Sequence, residues 1–147
     1  MLSIYYYLIM YLYILLLFIG LLILSAFFSG SETAFLNLKN QNKKVPNEIL
    51  QFANKPKRLL IGLLSGNTII NISIAFLGAY VIHKFASEFS ISPSILKLID
   101  IVFLSLILLI FGEVVPKVFA MRNSVKVARS AYIPLKFIFM VFKPFIF

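Results

Sequence analysis

The sequence predicts an all-α integral membrane domain: three transmembrane helices, then a basic amphipathic juxtamembrane helix, with the N-terminus outside and the C-terminus cytoplasmic. Three observations carry that prediction. Of 147 residues, 61% are hydrophobic and 13% charged, with a mean hydropathy of +1.00, well outside the range of a soluble domain. Residues 1–31 and 59–82 hold no charged side chain, and residues 101–121 hold only Glu113 and Lys117. Each run reaches the ~20 residues that a helix needs to cross a ~30 Å hydrocarbon core. Third, the basic residues cluster on one side of the predicted membrane. Lys39, Lys43, Lys44, Lys55, Lys57 and Arg58 lie between spans one and two, and Arg122, Lys126, Arg129, Lys136 and Lys143 follow span three. The connection between spans two and three carries only Lys84 and Lys97, offset by Glu88 and Asp100. The positive-inside rule then sets the orientation. It also accounts for the net charge of +9, so no nucleic-acid partner is implied.

Span one is expected over residues 4–36, with Tyr5, Tyr6, Tyr7, Tyr11 and Tyr13 forming an outer aromatic belt. It lacks the basic start and the small-residue cleavage site of a secretion signal and reads as a retained span. Residues 37–58 are polar and basic, interrupted by Pro46 and Pro56, and predict short helices and turns. Span two covers 59–83, and its Gly62 and Gly66 form a small-xxx-small pattern that admits close helix packing. Residues 87–94, with Pro93, read as a short outer loop, and span three follows over 96–121. From 124 to 147 the chain is largely apolar but carries Arg129, Lys136 and Lys143 at seven-residue intervals, the pattern of a helix lying in the interface. Pro134 and Pro144 are expected to bend or end it. All 147 residues read as one membrane domain of a multi-pass protein of the cell membrane (inner or plasma membrane).

Within the apolar runs stand three polar clusters: Ser25 with Ser29, Asn67 with Asn71, and Gly112-Glu113 with Pro116. Counted from Lys39, Arg58 and Arg122, each lies ~13 to ~15 Å from the basic face. Polar groups at that depth turn toward one another or toward a water-filled cavity, so a shared site is expected. Plainer readings stand beside this one. Membrane serines commonly bond the carbonyl four residues back, a pair of asparagines can simply hold helices together, and Lys117 is placed to form an i,i+4 pair with Glu113.

Pro116 has no N–H and its ring crowds the carbonyl of Gly112, leaving that oxygen without its helical partner beside the Glu113 carboxylate. Broken spans use such carbonyls to hold cations. Two hydroxyls, two amide oxygens, a carbonyl and a carboxylate form an all-oxygen set suited to a hard cation such as Mg²⁺ or Ca²⁺, and octahedral geometry favours Mg²⁺. With no cysteine and a single histidine, His83, at the far end of span two, neither a thiolate site nor a Ser-His-acid triad can assemble. An enzymatic role is not expected.

The motifs Ser25-Ala26-Phe27-Phe28-Ser29-Gly30-Ser31-Glu32-Thr33-Ala34, Gly66-Asn67-Thr68-Ile69-Ile70-Asn71-Ile72, Phe111-Gly112-Glu113-Val114-Val115-Pro116-Lys117 and Arg122-Asn123 resemble the membrane domain of the CNNM/CorC family of magnesium transporters. The resemblance implies a homodimer in the lipid bilayer that exports Mg²⁺ in a sodium-dependent manner, with Na⁺ as the coupling ion. It further implies that Ser25, Ser29, Asn67, Gly112 and Glu113 hold the ion, with Asn71 as a sixth ligand. Members of that family usually continue into cytoplasmic CBS domains that bind nucleotide; these 147 residues hold no counterpart, which leaves nucleotide regulation without a place in this sequence. The alternative is a membrane anchor or regulatory domain that transports nothing, its polar clusters serving only to pack helices.

Overall fold

The computed structural model describes residues 2–38, 45–89 and 93–141, and those residues form helices and no strands. The helices are α1 (Leu2–Asn37), α2 (Asn47–Ala53), α3 (Pro56–Phe89), α4 (Pro93–Ile107), α5 (Val115–Arg122) and α6 (Ser124–Val141), with a π-helical segment, Leu108–Val114, joining α4 to α5. Three stretches are long and apolar enough to cross a membrane: Tyr5–Asn37, Pro56–Lys84 and Ser94–Arg122. The third runs through α4, the π segment and α5 as one span.

Helix ends follow local chemistry. Pro56 and Pro93 each open a helix, where the missing N–H costs no intrahelical bond and the fixed φ suits the first turn. The predicted outer loop is therefore shorter than 87–94: α3 runs on to Phe89 and α4 begins at Pro93. Asn123, at φ −124° and ψ 33°, separates α5 from α6, and its backbone N–H and its side chain both donate to the Phe119 carbonyl. Pro134, expected to bend or end the helix, lies inside α6 without ending it. Its ring is exposed, and the carbonyl that it deprives of a partner is that of Ser130 on an exposed turn where solvent or headgroups can serve. Pro144 and Lys143 lie outside the described residues.

The packed core sits toward the end of the bundle where the α1–α3 connection and α6 meet. Phe35 of α1, Phe52 of α2, and Tyr132 and Phe139 of α6 make edge-to-face contacts at 5.6 to 5.7 Å, all centred on Phe52. Ile49 and Ala53, four apart on α2, are buried beneath. The small-xxx-small pair of α3 is used differently from the expected backbone approach. Gly62 accommodates the Phe139 ring and Gly66 the Phe28 ring, each so close that a Cβ would collide with it. Aromatic knobs from α6 and α1 thus fix α3 in register, Gly66 standing next to Asn67.

Candidate metal centre

The site builds outward from Ser25, which is fully buried. Its Oγ lies 3.1 Å from Oδ1 of Asn67 and 3.0 Å from Oδ1 of Asn71. The two asparagines reach it together because residues four apart share a face of α3. A hydroxyl has one proton and donates it to one acceptor at a time, so three oxygens here share a single hydrogen. Three oxygen-bearing side chains thus gather at one point between α1 and α3, a grouping that suits a hard cation.

The third span enters through Gly112. A Cβ on that residue would sit 2.9 Å from Ser25 Oγ, so only glycine lets this backbone approach without displacing the hydroxyl. The π winding shapes what it presents. Val115 donates its N–H to the Ile110 carbonyl, five residues back, and Pro116 has no N–H to give. The α-helical partner of the Gly112 carbonyl, four residues on, is thus absent, while in π winding the N–H five residues on is that of Lys117. Phe111 is affected as well: the amide four residues on is engaged with Ile110, and the one five residues on is proline nitrogen. That second carbonyl was missed by sequence reasoning, because a proline strips the oxygen four residues back in an α-helix and five back in a π-helix. Short π segments recur at functional sites.

Ser29, one turn closer to the packed end, is fully buried, and its Oγ has no hydrogen-bond partner. It does not make the bond to the carbonyl four residues earlier that would explain a membrane serine away. Glu113 is half-buried and makes no hydrogen bond or ion pair among the described residues. The i,i+4 pairing open to Lys117 does not form; Lys117 Nζ instead lies 3.8 Å from Glu32 Oε2 on α1. Of the six sequence-selected residues, Ser25, Asn67, Asn71 and Gly112 meet directly. Ser29 flanks them on α1, and Glu113 follows Gly112 on the π segment.

Among the described residues no three His, Cys, Asp or Glu side chains gather as metal ligands. The donors available are hydroxyl, amide and backbone oxygens with one carboxylate beside them. His83 is exposed near the other end of α3 and takes no part.

This chain is similar to known proteins. The family described as Cyclin M transmembrane N-terminal domain matches residues 16–147. The UPF0053 inner membrane protein YfjD of Escherichia coli strain K12 is 30% identical over 113 residues, covering 71% of this chain and 25% of that protein. A UPF0053 protein of Haemophilus influenzae is 27% identical over 133 residues, covering 85% of this chain and 30% of that protein. The chain thus spans a quarter to a third of the length of these relatives. Three apolar helices, a match that includes every polar cluster and an inner membrane relative lead to one conclusion: this is a multi-pass membrane protein, and the chain belongs to the Cyclin M (CNNM) transmembrane domain family.

Proposed function

We propose that this domain transports Mg²⁺, with Ser25, Ser29, Asn67, Asn71, Gly112 and Glu113 as the ligand set. One observation carries the reading: the Ser25 hydroxyl and the amide groups of Asn67 and Asn71 converge beside Gly112, three oxygen-bearing side chains from two helices against the backbone of a third. Hard cations favour all-oxygen surroundings, and Mg²⁺ usually keeps part of its water, so a partial protein shell suffices. A single carboxylate, Glu113, leaves binding moderate. An ion that must also leave needs that.

Export from the cytoplasm, dependence on Na⁺ and assembly as a homodimer belong to the same proposal and rest on the family resemblance. The N-out, C-in orientation rests on the distribution of basic residues. Proteoliposomes loaded with a Mg²⁺-sensitive dye test all but the assembly state. Flux that depends on Na⁺, is lost in Asn67→Ala and runs away from the basic face supports the reading. Equal flux from parent and Asn67→Ala would contradict it.

A second reading draws on the same bonds, since Ser25 to Asn67 and Asn71 also pins α1 to α3. In that case the domain is an anchor. Asn67→Ala then lowers stability equally with and without ions, and Mg²⁺, Ca²⁺, Mn²⁺ and Na⁺ bind indistinguishably.

A further inference from the structure

A cavity of about 340 Å³ opens between α1, α5 and α6, apart from the Ser25 centre. Its α1 wall runs from Ala26 to Ser31, about 8 Å along the helix. Phe27 and Phe119 make it apolar, while Lys126 and Ser130 of α6 stand at its border. Ser31 lines it too; this side chain is fully buried, and its Oγ has no hydrogen-bond partner. Lys126 is exposed and has no acidic partner among the described residues.

We infer that this cavity is a binding site for one anionic phospholipid of the leaflet at the basic face. An acyl chain fits the apolar part between Phe27 and Phe119. The phosphate sits against Lys126, and a headgroup or ester oxygen meets the unpaired Ser31 hydroxyl. Charge complementarity selects this occupant. Lys126, Arg129 and Lys136 recur at three- and seven-residue steps along α6, so they line one side, and they are exposed, as is Arg122 at the end of α5. A basic pocket between membrane helices is what anionic headgroups favour. The apolar wall then separates this site from a merely charged surface. The site also touches the transport machinery at one place: Pro116 lines the cavity and lies 3.5 Å from where a Cβ of Gly30 would stand. The inference does not require the Mg²⁺ reading.

The test titrates the purified 147-residue chain in neutral detergent with phosphatidylglycerol, phosphatidylcholine or inorganic phosphate. Retained lipid is read by native mass spectrometry and stability by melting temperature. Phosphatidylglycerol is expected to be retained at lower concentration than phosphatidylcholine and to raise the melting temperature, whereas inorganic phosphate does neither. Lys126→Gln, on an exposed position, should weaken phosphatidylglycerol retention about fivefold, the weight of one basic side chain at an anionic surface, and leave phosphatidylcholine unaffected. Ala26→Trp, which fills the apolar part, should remove retention of both. Equal retention of the two lipids overturns the proposal. So does a phosphatidylglycerol preference that survives Lys126→Gln but disappears in Arg129→Gln, because the lipid would then lie on the open face of α6. Should Ala26→Trp fail to fold, the Lys126→Gln comparison still decides.

Discussion

Along α1, residues 5–24 are all exposed or half-exposed, while most of residues 25–38 are buried against α3, α5 and α6, and from residue 5 onward Ser25 is the first that is buried. The two halves differ in what lipid can do for them. Hydrocarbon solvates Leu and Ile as well as a protein interior does, so the N-terminal half gains little by packing. The C-terminal half carries the hydroxyls of Ser25, Ser29, Ser31 and Thr33, whose polar atoms need partners, and Gly30, whose small size admits close approach. Packing therefore starts where polar chemistry starts. The candidate metal centre stands at that boundary, with tight aromatic-on-glycine contacts on one side and a loosely packed half on the other.

Substitutions in the two halves should respond very differently. The largest effect is expected from Gly112→Val, whose new Cβ collides with Ser25 Oγ. Overpacking there should cost about 1–3 kcal/mol in denaturation from detergent micelles and remove any Mg²⁺ response. An unaltered response would mean that the close approach of the third span is irrelevant to the ion. Leu63 is 1% exposed, and Leu63→Ala should cost about 1–2 kcal/mol, less than in a soluble core because lipid solvates the unfolded reference. Leu16, exposed in the N-terminal half, provides the contrast: Leu16→Ala should stay within about 0.5 kcal/mol. Comparable losses at the two positions would erase the distinction between the halves. Lys117→Gln should also have a small effect. The Lys117 side chain is 40% exposed and its pair with Glu32 is worth under about 1 kcal/mol, with an effect that shrinks in high salt.

The spans were legible in the sequence because a charge-free run of about twenty residues has few other physical explanations. The polar clusters were legible for the same reason, a hydroxyl or amide being conspicuous among leucines. What stayed hidden depends on contacts between helices. The sequence shows Gly62 and Gly66 as gaps; that Phe139 and Phe28 fill them follows only from the way α6 and α1 pack on α3. Spacing along one helix shows only that Lys117 can reach Glu113 on its own span; that it lies beside Glu32 follows from the packing of α5 on α1. The Phe111 carbonyl became visible only through the five-residue bond from Val115 to Ile110. Ser31 reads as an ordinary membrane serine until its burial and the neighbouring cavity are known.

The claim on which the transport reading depends is that oxygens from three helices hold Mg²⁺ around Ser25. The most direct measurement is the melting temperature of the purified chain as a function of Mg²⁺, taken for the parent, Asn67→Ala and Glu113→Ala, with the assembly state of each checked by its mass. At an ion concentration a hundred times the dissociation constant the parent should gain about 2.7 kcal/mol, and both variants should lose most of that gain while keeping the parent's mass. If both variants gain as much heat resistance from Mg²⁺ as the parent, the ion binds elsewhere and the centre described here is only a helix junction.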